Sequence, residues 1–387
     1  MDIDIAEEYE GNKSTGIEVE ESEPETVSHA PWDASKIRVD AKNFSLRNIL
    51  DLIADKDIDL APDFQRGNVW KPQQKCRLIE SILLRIPLPA FYFSSSEEGT
   101  MQVVDGIQRL SAIRDFAGDE YPLESLEYLS GELEGKRFRD LTGTHWVRRF
   151  NNTQILANVI DPQTPDQVKF DIFKRINTGG SPLNAQEIRH CMSGNMSRDF
   201  LKECTSLASF TQATGGSLKN QVRMVDREVV LRFCAFRLFG VMEYGSNETI
   251  DAFLTRATKR LDKQASIAER DTLLDDLDRA MSNAYHIFGD HAFRKWPWPP
   301  RNWHGSEKIN PLNRALFEIW SVALADYDWD SIAPYRTGIR DKARDMMTYD
   351  MEFVNAISSS TGDVQCIATR FSRVHNLLQD FLGGIAR

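Results

Sequence analysis

VVDGIQRLSAIRDF, residues 103–116, decides how the first half of the chain folds. Two β-branched residues, Val103 and Val104, run into Asp105-Gly106, after which Leu110, Ile113 and Phe116 recur at helical spacing. Apolar residues three apart fall on one helical face, so the stretch reads as a strand, a tight turn and an amphipathic helix. Gly106 permits a sharp turn or the close approach of a ligand, and first-turn N–H groups with the helix dipole favour an anion there. Arg109 adds a planar, permanently charged fork that suits phosphate oxygens. Two roles stand open for Asp105: capping the helix, or holding Mg2+ beside phosphates, since Mg2+ commonly uses one or two carboxylates plus phosphate oxygens.

On the N-terminal side, AFYFSSSEEGTMQVVDG (90–106) reads as a β-hairpin closed by a polar, Gly-containing turn. Before it, KIRVD (36–40) opens the ordered chain as a strand, and FSLRNILDLIADKD (44–57) forms a helix capped by Ser45. KPQQKCRLIESILLRIPLP (71–89) gives a helix with Pro72 in its first turn, an apolar face of Ile79, Ile82, Leu83 and Ile86, and Pro87 and Pro89 as its stop. On the C-terminal side, QILANVI (154–160) reads as a strand. PDQVKFDIFKRINTGGSPLNAQEIRHCM (165–192) reads as helix, break, helix, with Asp166 capping the first and Ser181 or Asn184 available to cap the second. From residue 197 onward the patterns are helical almost without strands. The expected organisation is an acidic disordered tail over 1–35, an α+β domain with a small β-sheet over 36–192, and an α-helical domain over 193–387.

Composition sets the outer bounds. Of 387 residues, 41% are apolar and 27% charged, close to ordinary globular usage. No apolar run reaches the roughly eighteen residues that would span a bilayer, so no membrane partner is expected. The opening MDIDIAEEYEG has neither the basic nor the apolar region of a secretory signal, which places the chain in the cytoplasm. Five scattered cysteines, never spaced C-x-x-C, read as reduced thiols. Of the net charge of −11, all but two units lie in residues 1–26, where ten acids face the single base Lys13. Such a leader reads as a solvated, disordered arm, a strand mimic covering a basic groove being the alternative. The nearly neutral remainder leaves nucleic acid open as a partner.

Two further stretches repeat the chemistry of residues 103–116. APDFQRGNVW (61–70) brings Gln65 and Arg66, and KRINTGGSPLN (174–184) brings Lys174, Arg175, Asn177 and a Gly-Gly turn. Three stretches that each combine amides, guanidinium and tight backbone point to an anion or nucleotide pocket. No G-x-x-x-x-G-K-[ST] sequence is present, so a P-loop site is excluded.

DFQRGNVW, SILLRIPLPAFYF, VVDGIQRLSAI and IFKRINTGGSPLNAQEIR, in this order and spacing, resemble the N-terminal domain family of GmrSD-type, modification-dependent restriction endonucleases. The resemblance covers about residues 36–192. It implies a ParB/sulfiredoxin-like fold and a domain that binds, and hydrolyses, a nucleoside triphosphate with Mg2+ in defence against foreign or modified DNA, a separate nuclease or defence subunit being an implied partner. The C-terminal half, especially INPLNRALFEIWSVALA (309–325), resembles an extension of some stand-alone members. The family's D-G-Q-Q-R hallmark is matched at Asp105, Gly106, Gln108 and Arg109, with Ile107 in place of the first Gln. By this resemblance Asp105, Gln108 and Arg109 are the candidate catalytic residues. Gln65, Arg66, Gly106, Arg109 and Asn177 are the candidate nucleotide contacts, with Arg66 and Arg109 as phosphate clamps and Asp105 as the Mg2+ ligand. Asn177 has C-capping its helix as its alternative role. Phosphoryl transfer needs positioning and charge stabilisation above all, and these residue types supply both. Ile107 leaves a choice: a core position, harmless to turnover, or a lost site Gln, which would make the domain a non-catalytic DNA- or nucleotide-sensing module.

Rival chemistries have weaker support. A nuclease would draw on His286, Asp290 and His291 of YHIFGDHAF and on His304, yet Ile287 and Phe288 continue a helical period, and no ββα-metal pattern is evident. Trp296, Trp298 and Trp303 read as anchors of a Pro-rich loop, with base stacking as the alternative. No cysteine lies in VVDGIQRL to support sulfiredoxin-type chemistry, and no G-x-S-x-G is present. The bases of KRFRD (136–140) and HWVRRF (145–150) read as solvated surface, with contact to DNA as the alternative.

Overall fold

The computed structural model describes residues 5–10, 13–20, 37–60, 70–176, 183–219, 223–245, 248–299 and 308–383. Over these the chain divides into two units, one drawn from 30–192 and the other from 193–387 together with the N-terminal leader. No helix among the described residues is long and apolar enough to cross a membrane.

The leader is where the structure departs furthest from expectation. Glu7–Glu10 (β1) and Lys13–Glu18 (β2) pair antiparallel, and Ile17 is wholly buried within the helical unit. The backbone of β2 also bonds Leu312, through Glu18 N–H to Leu312 O and Leu312 N–H to Gly16 O, both at 2.9 Å. The described part of the acidic leader is therefore an ordered hairpin rather than a solvated tail. Glu8, Glu18 and Glu20 are paired with Arg314, Lys295 and Arg232, each more than two hundred residues away, which composition does not reveal.

The α/β unit holds Val39–Ser45 (β3), Leu46–Ala54 (α1), Ile58–Asp59 (β4), Pro72–Leu83 (α2), Phe91–Ser95 (β5), Met101–Asp105 (β6) and Ile107–Ala117 (α3). Ser130–Leu133 (α4), His145–Asn152 (α5), Gln154–Ile160 (β7), Asp166–Ile176 (α6) and Ala185–Met192 (α7) follow. The five strands form one mixed sheet in the order β3-β7-β5-β6-β4, with β3/β7 and β5/β6 antiparallel and β7/β5 and β6/β4 parallel. Ser45 caps α1 by accepting from Asn48 N–H, and Pro72 occupies the first turn of α2, where its missing N–H costs nothing. Leu46 and Ile49 of α1, Cys76, Ile79, Ile82 and Leu83 of α2, and Leu110, Ile113 and Phe116 of α3 meet in one core with Phe91, Phe93 and Val103 of the sheet.

Two details differ from the pattern. Helix α2 stops at Leu83 and the backbone turns left-handed at Arg85 (φ +63°), so Ile86, expected on the apolar face, is 48% exposed. The buried Glu80 carboxylate accepts the backbone N–H groups of Glu127, Tyr128 and Leu129 at 2.7–3.1 Å, tying the irregular 121–136 segment to α2. The break after α6 ends where Asn184 Oδ1 accepts from Glu187 N–H and Glu187 Oε2 accepts from Asn184 N–H, a reciprocal capping box that starts α7. Ser181, the other expected cap, lies outside the described residues.

The second unit is helical beyond the hairpin. It comprises Asn195–Thr205 (α8), Ala208–Ala213 (α9), Val225–Phe239 (α10), Ile250–Lys263 (α11), Ile267–Phe288 (α12), Arg314–Leu324 (α13), Trp329–Ile332 (α14), Arg336–Tyr349 (α15), Met351–Ala356 (α16) and Val364–Leu382 (α17). A single core runs through it, built around α10, α12 and α13. Inside lies a charged network. The Glu318 carboxylate, wholly buried, accepts from Arg232 at 2.7 Å and from Arg370 at 2.5 Å. Arg232 also meets Glu20 (2.9 Å) and Glu228 (2.9 Å), and Arg314 meets Glu8 (2.8 Å) and Glu228 (3.3 Å). Lys295 reaches Glu18 at 2.6 Å. Burial alone would raise the Glu20 pKa, but Arg232 and Arg314 outweigh it and hold the carboxyl below its ordinary value.

Candidate functional site

The strand-to-helix turn is built as residues 103–116 suggested, with a different division of labour. Asp105 closes β6 opposite Tyr92 of β5, and Gly106 turns the chain left-handed (φ +99°) into α3. A Cβ at Gly106 would stand 2.3 Å from Cδ1 of Phe91 and 3.2 Å from the Arg109 guanidinium, so both conformation and space demand glycine. The helix-cap position is Gly106 itself, without any side-chain cap. Asp105 therefore does not cap α3.

Asp105 instead faces Arg109 one turn later, Oδ2 accepting from Nη2 at 2.8 Å. The same guanidinium donates to the carbonyls of Pro89 (2.5 Å) and Ala90 (3.2 Å) and lies 4.2 Å from the Phe91 ring centroid. With its side chain 12% exposed, Arg109 is turned into the protein. Burial pulls its pKa down, opposed by the charge and hydrogen bond of Asp105, and an arginine so placed stays cationic. The phosphate-clamp role expected of Arg109 gives way to a brace that ties α3 to the start of β5, because both of its terminal nitrogens donate to internal acceptors.

Three groups at this turn are left open. The N–H groups of Ile107, Gln108 and Arg109 have no acceptor among the described residues; the first helical bond is Leu110 N–H to Gly106 O at 2.8 Å. Unpaired first-turn amides are the ordinary donors to an anion at a helix start. Asp105 Oδ1 and the half-buried Gln108 side chain are likewise without partners among the described residues. Ile107 packs against the core cluster beneath α3, so here the position faces inward.

The helices on either side of the KRINTGGSPLN stretch, α6 and α7, pack on the same strand. Phe170 and Phe173 of α6 and Ile188 of α7 form a small core with Val104 of β6 and Ile160 of β7. Lys174 and Arg175 stand exposed at the end of α6, while Asn177 falls outside the described residues, as do Gln65 and Arg66. Glu80, buried with three backbone bonds, and the Glu318 network are features that the sequence reading missed. Neither carries a local signal, since each is defined by partners distant in sequence.

The histidines of the rival nuclease reading are engaged with aromatics. His286 lies 4.7 Å from the Trp329 ring, and His291 stacks on Trp296 at 4.0 Å and 6°. Arg344 is sandwiched between Trp296 (4.1 Å) and Trp298 (3.8 Å), and Trp298 Nε1 donates to Asp345, which fits a loop anchored by its indoles. Trp303 and His304 lie outside the described residues. Among the described residues no three His, Cys, Asp or Glu side chains gather as a metal site.

Comparison with known families gives one match: residues 49–192 fit the family described as the GmrSD restriction endonuclease, N-terminal domain. The chain thus carries a GmrSD-type N-terminal domain, and the β6–α3 turn lies inside it. No curated protein and no solved structure matches the chain.

Proposed function

We propose that the α/β unit binds a nucleoside triphosphate with Mg2+ at the β6–α3 turn and hydrolyses it, as a component of a bacterial DNA-restriction or anti-phage defence system. One observation carries the reading: three amides at the start of α3, one Asp105 oxygen and the Gln108 side chain stand together without partners among the described residues. The amides and the α3 dipole would receive the phosphates. Gln108 would orient the attacking water, and Gly106 with Arg109 would hold the turn in register. Arg66 takes the phosphate-clamp role, with Gln65 and Asn177 as further contacts.

The donor set fits Mg2+ through the one open oxygen of Asp105, because Mg2+ with a triphosphate keeps most of its shell as water and phosphate oxygen. Such an ion supplies charge neutralisation for the transferred phosphoryl group. The inward packing of Ile107 favours turnover over the sensor reading, since the position then contributes to the core and not to the ligand. The mixed sheet agrees with a ParB/sulfiredoxin-like assignment, and a separate nuclease subunit remains the expected partner. Calorimetry with ATP or GTP and Mg2+, followed by phosphate release, tests the proposal. Wild type should bind and release phosphate, and Asp105→Asn should lose about a hundredfold in release while keeping its bond to Arg109. Absence of binding by wild type with Mg2+ present overturns it.

A further inference from the structure

We infer that a second face of the α/β unit, the cavity between the end of α2 and helix α5, binds the phosphodiester backbone of DNA. The cavity measures 590 Å³ and is lined by Arg85, His145, Arg148 and Arg149, with Ile86 and Leu88 among its apolar walls. No acid lines it. Arg85 and Arg148 are exposed and have neither ion pair nor hydrogen bond among the described residues. Some surface arginines of this unit find acids, as Arg114 does at Asp115 (2.7 Å) and Arg139 at Asp119 (3.3 Å), while Arg47 and Arg77 are, like Arg85 and Arg148, exposed without an ion pair among the described residues; what sets Arg85 and Arg148 apart is that they share one acid-free cavity.

Two features indicate that these cations are placed for a ligand. The first is Arg85 itself. It occupies the left-handed residue after α2 (φ +63°), a position that ordinarily takes Gly or Asn because a Cβ is strained there. Lys56 takes the matching position after α1 (φ +65°), so the conformation alone is not a mark of a site; at Arg85 it sets an arginine on the wall of the cavity. The second is Arg149, whose Nη1 donates to Leu83 O at 3.0 Å and whose guanidinium lies 5.0 Å from the Trp146 ring centroid. That arginine is fixed before any ligand arrives, with donors to spare.

The spacing suits a strand rather than a single anion. A lone phosphate is held by donors converging on one point, whereas these are strung along one face of α5, at His145, Arg148, Arg149 and Asn152, and across to Arg85. With a rise of about 1.5 Å per residue, the face from His145 to Asn152 runs about 10 Å. Phosphates recur along a DNA strand at a spacing shorter than this face, so a row of cations of this length can meet successive phosphates rather than one. Contacts of this kind fix position on the duplex and carry no sequence preference.

The test uses the full chain and a fluorescent duplex of arbitrary sequence about 30 base pairs long, titrated by anisotropy at several salt concentrations. Arg85→Gly combined with Arg148→Ala removes two cations, the first by the residue that the backbone prefers, so the unfolding midpoint should hold or rise. Kd should weaken at least about tenfold and the log Kd against log salt slope should fall by about two. Wild type that binds no duplex, or a double variant with unchanged Kd and slope, overturns the proposal. So does a double variant that keeps DNA affinity but loses Mg-ATP, which would make the cavity a nucleotide site. The proposal does not rest on the β6–α3 reading: retained Mg-ATP binding with lost DNA binding supports the cavity alone.

Discussion

The two units of this chain spend their arginines in opposite ways. In the helical unit Arg232, Arg314 and Arg370 are buried and each is paired with one or more of Glu8, Glu20, Glu228 and Glu318. In the α/β unit Arg85 and Arg148 stand exposed around a cavity and Arg109 braces a turn, and among the described residues neither the two exposed arginines nor the amides of that turn have a partner. The contrast teaches that arginine type and number say little about binding. What separates scaffold from site is whether the fold supplies each cation with an acceptor.

The sharpest way to break this contrast is to remove an acceptor from the buried network. Glu318→Ala leaves buried Arg370 without a carboxylate and takes one of three from Arg232, and should lower stability by about 3–5 kcal/mol, read as a reduced midpoint in urea. Arg148→Ala, taking away an unpaired surface cation, should move the midpoint by less than about 0.5 kcal/mol. Equal effects from the two would erase the distinction. Next in size is Gly106→Ala, which combines a left-handed backbone with a clash against Phe91 and should cost roughly 2–4 kcal/mol along with nucleotide binding. A fully stable Gly106→Ala protein would mean that the turn tolerates rearrangement and is not held by its brace.

A smaller effect follows from an acid in the helical unit that lacks what Glu20 has. Burial pushes the Asp226 carboxyl up to about 6, with one oxygen unpartnered, whereas Glu20 is held low by two arginines. The folded chain holds the Asp226 proton more tightly than the unfolded chain, whose value is about 4. Stability therefore falls as pH rises from about 4 to about 6, by an amount on the order of 3 kcal/mol, and is flat above. Asp226→Asn should remove that slope from the pH dependence of the urea midpoint, and an unchanged slope would show that the carboxyl ionises freely.

Much of the α/β unit was legible because its signals are local. Ser45, Pro72, the hairpin around Gly99 and the strand QILANVI each declare themselves within a few residues, and the structure uses each as read; of the two caps left open for α7, it uses Asn184. Arg109 was legible as a site residue but not in its direction, since the carbonyls of Pro89 and Ala90 that turn it inward lie twenty residues upstream. The acidic leader was misread for the same reason at greater range: Glu8, Glu18 and Glu20 look solvated until Arg314, Lys295 and Arg232 are brought beside them. The cavity at Arg85 and Arg148 needs the loop after α2 to meet α5, a contact that no periodicity reports. Ile107 shows the converse, a departure from a motif whose meaning only packing could decide.

The most direct test of the central claim is a calorimetric titration of Mg-ATP and Mg-GTP into the full wild-type chain and into Gln108→Ala and Asp105→Asn. The account predicts saturable binding of at least one triphosphate by wild type, weakened in both variants while their unfolding midpoints stay within about 1 kcal/mol of wild type. Equal binding by all three proteins, or none by wild type, would contradict it.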